Sequence, residues 1–274
     1  MSRSLTRVSA FVLAAITALA LALPAFAQGT DGQAQVRVAH LSSDAPNVDV
    51  YVNGEPVPAL TNVPYGTVSG YLPLPAGTQQ VTVYATGDAS APVIDTPVEL
   101  AAGGTYTVAA IGLVSDASLT AQVYEDDLAA PAAGNAKVRI VHASPDAGPV
   151  DVATADGTYL VSGLGYPSAS PYAQVPAGTY DVNVLAAGTG TVAISAPGTS
   201  VAAGGVYTAV ATGTASAGSL GVILVQANAG VETLASTGGI SLAWVAGALA
   251  TAGVVLSSGA AAGVYALRRA RAQH

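Results

Sequence analysis

Two histidines in the central part of the chain are each followed by an aspartate at the same spacing. Asp44 lies four residues after His40, and Asp146 lies four residues after His142. An imidazole beside a carboxylate can bind a divalent metal ion or form an acid–base pair. The same residue types also suit a structural role, in which the histidine ends a strand and the carboxylate accepts backbone N–H groups in the next turn. Because duplicated domains retain the residues that determine their fold, the sequence favours the structural role, with a metal site at these four residues as the alternative.

Other patterns that would indicate an enzyme are missing from the sequence. The chain has no cysteine, which excludes thiol catalysis, disulfides and Cys-ligated metal sites. No G-x-S-x-G turn and no phosphate-binding glycine loop occurs. The acidic cluster Glu125-Asp126-Asp127 could contribute to a Ca²⁺ site, but without a D-x-D-x-D-G loop a solvated strand end is expected. We therefore expect a protein that is not an enzyme and uses no cofactor.

A duplication organises the chain. Residues 40–50 return as residues 142–152 with seven of eleven positions identical. The P-A-G-T segment at 75–78 and the A-A-G-G-x-Y-T segment at 101–107 both return 101 residues later. Self-similarity at this distance indicates two copies of a whole domain rather than a short-period solenoid.

Each copy is predicted to consist of short β-strands. Val48, Val50 and Val52 alternate with Asp49 and Tyr51, the period of a half-buried strand, so Asp49 and its equivalent Asp151 are expected to face solvent. Val36 and Val38 alternate with Arg37 and Ala39 in the same way. Further strands are predicted at 68–74, 80–86, 94–100, 105–112 and 119–125, with Gly or Pro in nearly every gap. About seven strands per copy indicate an all-β fold of two tandem antiparallel β-sandwiches, of the immunoglobulin or transthyretin type.

Tyrosines occupy two kinds of position. Tyr106 and Tyr207 follow the Gly-Gly turns and are expected to be buried, with the hydroxyl holding a sheet corner. Tyr51, Tyr65 and Tyr71 are expected at the surface, where tyrosine supplies contact area at little entropic cost. They are candidates for a binding face.

The repeated segments resemble a known family. The V-R-V-A-H-x-S-x-D-A-x-x-V-D-V opening, the P-A-G-T segment and the A-A-G-G-x-Y-T segment are similar to domain of unknown function family 4397 over residues 35–228. The resemblance implies export from a bacterial cell, tandem copies and β-sandwiches. It implies no established activity.

The segment between residues 28 and 237 is strongly acidic. It holds all 16 carboxylates of the chain and only three basic residues, Arg37, Lys137 and Arg139. Nucleic-acid binding requires clustered Lys and Arg, so nucleic acid is excluded as a partner.

The N-terminus has the features of a secretory signal peptide. Arg3 and Arg7 precede an apolar run at 10–23, and Ala25 and Ala27 are the small residues that signal peptidase reads. Cleavage after Ala27 is predicted, because the segment is too short and wrongly flanked for a spanning helix.

The C-terminus resembles a cell-wall sorting signal. An apolar segment at 240–267 exceeds the ~20 residues that cross a bilayer as a helix, and a basic tail at 268–274 follows it. The pentapeptide before the apolar segment is similar to the L-A-x-T-G variant of the LPXTG motif read by class E sortases, and it consists of Leu234, Ala235, Ser236, Thr237 and Gly238. The resemblance implies cleavage after Thr237 and attachment to cell-wall peptidoglycan, with the helix in the membrane before processing. An ordinary single-pass anchor with outward-facing domains is the alternative.

These observations predict a secreted, envelope-anchored surface protein with a structural, adhesive or display role and an unknown extracellular ligand. A solute- or metal-binding protein is the alternative, and a surface hydrolase is the least favoured class. The predicted segments are a signal peptide at 1–27, a mature N-terminal segment at 28–34, repeat 1 at 35–127, a linker at 128–136, repeat 2 at 137–228, a spacer at 229–239, the helix at 240–267 and the tail at 268–274.

Overall fold

A computed structural model of the chain describes residues 32–227, which form two β-sandwich repeats. The predicted signal peptide, the sorting motif and the C-terminal hydrophobic helix lie outside these residues. Within residues 32–227, no helix has the length and apolar character needed to cross a membrane.

Repeat 1 consists of eight strands and one short 3₁₀ helix, Pro58–Leu60, within the described part of the chain. The strands are β1 (Gln33–His40), β2 (Val48–Val52), β3 (Glu55–Pro56), β4 (Leu72–Pro75), β5 (Gly77–Ala85), β6 (Asp88–Leu100), β7 (Thr105–Ile111) and β8 (Thr120–Glu125).

Repeat 2 reproduces this order up to residue 227. Its strands are β9 (Asn135–His142), β10 (Val150–Thr154), β11 (Tyr159–Leu164), β12 (Ala173–Pro176), β13 (Gly178–Ala186), β14 (Val192–Val201), β15 (Val206–Thr212) and β16 (Gly221–Gln226).

Each repeat is a sandwich of two four-stranded sheets. In repeat 1 the inner sheet has the order β4-β1-β7-β8 and the outer sheet the order β3-β2-β5-β6. In repeat 2 the corresponding orders are β12-β9-β15-β16 and β11-β10-β13-β14. The expected antiparallel sandwich is confirmed, with one parallel pair in each inner sheet, β1 with β7 and β9 with β15. Between the two strands of each parallel pair, the chain forms strands of the outer sheet, so the paired strands are not joined by a hairpin.

The turn after β2 follows from its sequence. Asn53 and Gly54 both have positive φ, 52° and 83°, and connect β2 to β3 as the two-residue loop of a hairpin. Asparagine and glycine are the residues that adopt this conformation at least cost.

The first strand is buried on both faces, whereas its alternation predicts one solvent face. Val36 belongs to the core of repeat 1, between its two sheets. Ala39 belongs to a second core that also contains Val141 and Val210 of repeat 2. The two inner sheets therefore pack against each other, and the repeats share a hydrophobic core.

The outer sheet of repeat 1 extends further than its periodicity predicts. β6 begins at Asp88, which pairs with Ala85 of β5, although the alternation becomes recognisable only at Ile94. Register shifts near Tyr84 interrupt the ladder, and the small and polar residues at the start of β6 are exposed. An exposed strand start lacks the hydrophobic alternation by which strands are recognised in a sequence.

Candidate functional site

The two motif histidines are buried at equivalent ends of β1 and β9. His40 is 1% exposed and His142 is fully buried. The Nε2 atom of His40 lies 3.0 Å from the carbonyl oxygen of Pro46, and that of His142 lies 2.7 Å from the carbonyl oxygen of Gly148. A carbonyl oxygen only accepts hydrogen bonds, so Nε2 carries the proton in both rings and holds the following loop to the strand.

The Nδ1 atoms of these rings have different surroundings. The backbone N–H of Ser144 donates to Nδ1 of His142 at 3.3 Å. Nδ1 of His40 is buried and has no hydrogen-bond partner among residues 32–227. Burial lowers the pKa of His40 below 6.5, and the bond to Pro46 opposes this only partly.

The motif aspartates bind backbone N–H groups in the loops after β7 and β15, and they do not bind the histidine side chains. Asp44 accepts hydrogen bonds from the backbone N–H groups of Val114 and Ser115, each at 2.9 Å. Asp146 accepts the equivalent bonds from Ala215 at 2.7 Å and Ser216 at 2.9 Å. Each carboxylate therefore joins the loop after the first strand of its repeat to the loop after the strand parallel to it.

These contacts bear directly on the metal site considered for His40, Asp44, His142 and Asp146. Each histidine uses Nε2, and each aspartate both of its oxygens, in bonds within the fold. Residues 32–227 contain no group of three or more His, Cys, Asp or Glu side chains placed to hold a metal ion. The metal site remains a prediction, and the structural role of the motif accounts for the observed bonds.

The second aspartate of the motif differs between the repeats. Asp49 is partly exposed, as predicted. Asp151 is 8% exposed, so its predicted solvent position is wrong. Its carboxylate accepts hydrogen bonds from the N–H groups of Gly163 at 2.7 Å and Gly188 at 3.0 Å, which offset the cost of burial.

In the acidic cluster at the end of β8, Glu125 and Asp127 are exposed, as predicted, whereas Asp126 forms a buried ion-pair site. The side chain of Asp126 is fully buried, and it forms ion pairs with Arg37 of its own repeat and Arg139 of repeat 2. The Nε atom of Arg37 lies 3.5 Å from Oδ2 of Asp126, and Nη2 of Arg139 contacts Oδ1. Asp127 is 60% exposed and pairs with Lys137 at 2.8 Å. The three basic residues of the acidic segment therefore all meet this cluster.

Threonines and tyrosines from both repeats complete the cluster. Tyr71 and Thr107 each donate a hydrogen bond of 2.6 Å to Oδ2 of Asp126. Arg37 lies 5.0 Å from the centre of the Tyr71 ring, and Arg139 lies 4.9 Å from that of Tyr172, both distances of cation–π contacts. This site was not predicted from the sequence. The sequence did contain one signal for it, because all three basic residues of the acidic segment lie near the start of a repeat.

The tyrosines after the Gly-Gly turns hold sheet corners through their hydroxyls, but only Tyr207 is buried as predicted, and Tyr106 is partly exposed. The hydroxyl of Tyr106 accepts a hydrogen bond from the N–H of Ala101 at 3.1 Å, and that of Tyr207 accepts one from Ala202 at 2.9 Å. Each ring folds back over the glycine two residues before it. A Cβ atom on Gly104 would lie 2.5 Å from the Tyr106 ring, which explains why the motif needs glycine there.

The predicted tyrosine binding face is not assembled at one surface. Tyr65 lies 3.3 Å from Oγ1 of Thr212 in repeat 2, and Tyr71 is bonded to Asp126. Only Tyr51 belongs to the outer sheet, where its ring packs edge-on against that of Tyr84 at 5.1 Å. Two of the three tyrosines therefore serve the contact between the repeats.

The fold and these sites define a protein of two tandem β-sandwich repeats joined through their inner sheets. The Domain of unknown function (DUF4397) matches residues 34–153 and 140–235. The chain belongs to this family and carries two tandem copies of the domain.

Solved structures that match the chain include two distant relatives in fold. No curated protein matches the chain. The Bacillus anthracis TIE protein matches with a TM-score of 0.21 and 11% identity, over 67% of this chain and 34% of that one. A leucine-rich repeat protein from Bacteroides thetaiotaomicron matches with a TM-score of 0.18 and 17% identity, over 65% of this chain and 25% of that one. The chain thus spans about a third and a quarter of these two proteins.

Proposed function

We propose that the chain is an exported bacterial surface protein in which the two repeats form a non-enzymatic display or adhesive module. The observation that carries this proposal is the use of the repeated His and Asp side chains in bonds that hold the loops of each sandwich. A side chain that forms such bonds stabilises the fold. Its presence in both copies is therefore explained without a catalytic reaction.

The attachment of the module is proposed from the sequence of both chain ends. Signal peptidase removes residues 1–27, and the apolar segment at 240–267 halts export with the basic tail inside. A sortase then cleaves the bond between Thr237 and Gly238 and transfers the Thr237 carbonyl to an amine of the peptidoglycan. In support, the pentapeptide stands directly before the apolar segment and after β16, the last strand within residues 32–227.

Fractionation of the native host tests the attachment. Release of the protein by a muralytic enzyme, with an intact mass that ends at Thr237, is the expected result. Extraction by detergent alone, with Arg271 still attached, would contradict sorting and support a single-pass membrane anchor.

A matched pair of variants separates the motif from the surrounding sequence. Thr237→Ala removes the residue whose carbonyl is transferred, so the protein is expected to stay in the membrane fraction. Ser236→Ala changes the variable position of the motif and is expected to leave wall attachment unchanged. Equal wall attachment of both variants would refute the role of the motif.

An extracellular metal-binding role is the second candidate function. The observation in its favour is the buried Nδ1 atom of His40, which lacks a hydrogen-bond partner among residues 32–227. Titration with calcium, zinc and manganese, followed by thermal unfolding, tests it, because a ligand that binds the folded state raises Tm. Stabilisation that is lost in His40→Gln would support a metal site, and the absence of any shift would remove it.

A further inference from the structure

In the part of the chain that the structure describes, the charges buried between the two repeats do not balance. Arg37 and Arg139 are each 2% exposed, and within residues 32–227 Asp126 is the one acidic side chain that forms an ion pair with either of them. Two guanidiniums and one carboxylate leave one positive charge in excess. Burying an uncompensated charge is costly, so a second negative group at this place would stabilise the fold.

The symmetry of the repeats shows where that negative group belongs. Asp126 and Ala227 are equivalent, because the N–H of Asp126 donates to the Thr105 carbonyl at 2.7 Å and that of Ala227 to the equivalent Val206 carbonyl at 2.8 Å. Repeat 1 therefore supplies a carboxylate at a position where repeat 2 has only a methyl group.

The donors that surround Asp126 are all present again around Ala227. Thr208 and Tyr172 are the equivalents of Thr107 and Tyr71, which both donate to Asp126. The Tyr172 hydroxyl is buried without a hydrogen-bond partner among residues 32–227, although Thr208 is close enough to affect its pKa. Burial, the largest influence, raises the pKa of Tyr172, so this hydroxyl keeps its proton at neutral pH.

Arginine completes this second set of donors. Nη2 of Arg37 and Nε of Arg139 both lie 3.2 Å from Oγ1 of Thr208, so this oxygen accepts from two guanidiniums. A hydroxyl that accepts in this way still has its own proton to donate. Two hydroxyl protons and a guanidinium of Arg37 thus occupy the positions from which their equivalents bind Asp126.

We propose that these donors form an anion site beside Ala227, which binds a small monovalent anion such as chloride or a carboxylate. The anion takes the place that the Asp126 carboxylate holds in repeat 1 and balances the second arginine. This site is independent of the proposed surface role and does not depend on how the protein is anchored.

Thermal unfolding of the full chain in detergent tests the site. At constant pH and ionic strength, sodium gluconate is replaced stepwise by sodium chloride or sodium formate, because gluconate is a much larger anion than either and serves as the reference. Because an anion that binds the folded state stabilises it, Tm is expected to rise by a few degrees with chloride or formate. Tyr172→Phe removes one donor and is expected to reduce this rise.

Substitution of Ala227 supplies the negative group within the chain. Ala227→Asp is expected to raise Tm in gluconate by about 3 °C or more and to remove the response to chloride. Ala227→Asn has the same shape without the charge and is the matched control, with no comparable rise.

If the wild-type protein does not respond to chloride or formate, and Ala227→Asp is no more stable than Ala227→Asn, the anion site is refuted.

Discussion

Asp126, at the end of the last strand of repeat 1, forms a buried ion pair with Arg139, in the first strand of repeat 2. The pair crosses the boundary between two domains that the sequence presents as separate repeats. Arg139 also donates to the carbonyl oxygen of Glu125 at 2.8 Å, which adds a second bond across the same boundary. The stability of each repeat should therefore depend on the other.

Loss of the Asp126 charge should be severe. In Asp126→Asn two buried guanidiniums lose their counter-charge, and removing one partner of such a pair costs about 3–5 kcal/mol. Asp127→Asn is the matched control, because Asp127 is 60% exposed and its pair with Lys137 is worth about 1 kcal/mol or less. Urea unfolding measures both, and similar losses in the two variants would contradict the buried role of Asp126.

The shared core should make the two repeats unfold together. Ala109 is fully buried in the core that contains residues of both inner sheets, so Ala109→Leu should overpack it and cost about 1–3 kcal/mol. Ala133→Leu, at an exposed position, should have little effect. In calorimetry the wild-type protein is expected to show one transition with equal calorimetric and van't Hoff enthalpies. Two separate transitions, with only one moved by Ala109→Leu, would show that the repeats are independent.

The corner tyrosine should be sensitive to the glycine beneath it. Gly104→Ala places a methyl group 2.5 Å from the Tyr106 ring, so the ring must move and its hydrogen bond to Ala101 is lost, at a cost of about 1–3 kcal/mol. Gly70→Ala adds a methyl group with no atom within 4 Å and should change the free energy of unfolding by about 0.5 kcal/mol or less. Equal effects of the two substitutions would exclude this packing as the reason for the Gly-x-Tyr spacing.

The buried His40 should make stability depend on pH in the mildly acidic range. Burial lowers the pKa of His40 in the folded state below its value of 6.5 in the unfolded chain. Between these two values the unfolded state binds a proton that the folded state does not, so stability is complete above pH 6.5 and falls as the pH decreases. Urea unfolding from pH 7.5 to pH 5 should show a flatter profile for His40→Gln, and an unchanged slope would contradict this assignment.

The aspartates that bind the loops should make stability depend on pH in a more acidic range than His40 does. Burial tends to raise the pKa of Asp44, but the hydrogen bonds from Val114 and Ser115 outweigh it and hold the pKa below 3.8. Its contribution is therefore complete above about pH 4 and is lost as the pH falls through the lower, folded-state pKa. Asp44→Asn should be less stable at pH 7 and should lose less stability between pH 4 and pH 2.5. Glu55→Gln, at an exposed position, is the control and should retain the wild-type profile.

The features that could be predicted from the sequence are those with local causes. The alternation around Val50 indicates a strand, Asn53-Gly54 indicates a tight turn, and the Gly-Gly-x-Tyr spacing indicates a corner tyrosine. Each depends on residues close together in the chain, so the spacing of residue types carries the information.

The ion-pair site could not be predicted in this way, because packing between the repeats creates it. Arg37 alternates with valines, which is typical of a solvent-facing position, yet the inner sheet of repeat 2 covers it. Asp126 belongs to an acidic run typical of a solvated strand end, and it is buried because Arg139 and Tyr71 meet it there. Neither the partner sheet nor its orientation is encoded in the local pattern.

The packing of equivalent faces has a consequence for the oligomeric behaviour of the protein. Arg37 and Arg139 face one another across the contact, which is the arrangement of an isologous two-fold dimer contained in one chain. Since a covalent link holds the two partners at a high effective concentration, their association does not depend on how dilute the protein is. A two-subunit version would separate on dilution outside a cell, whereas the duplicated chain keeps its interface closed.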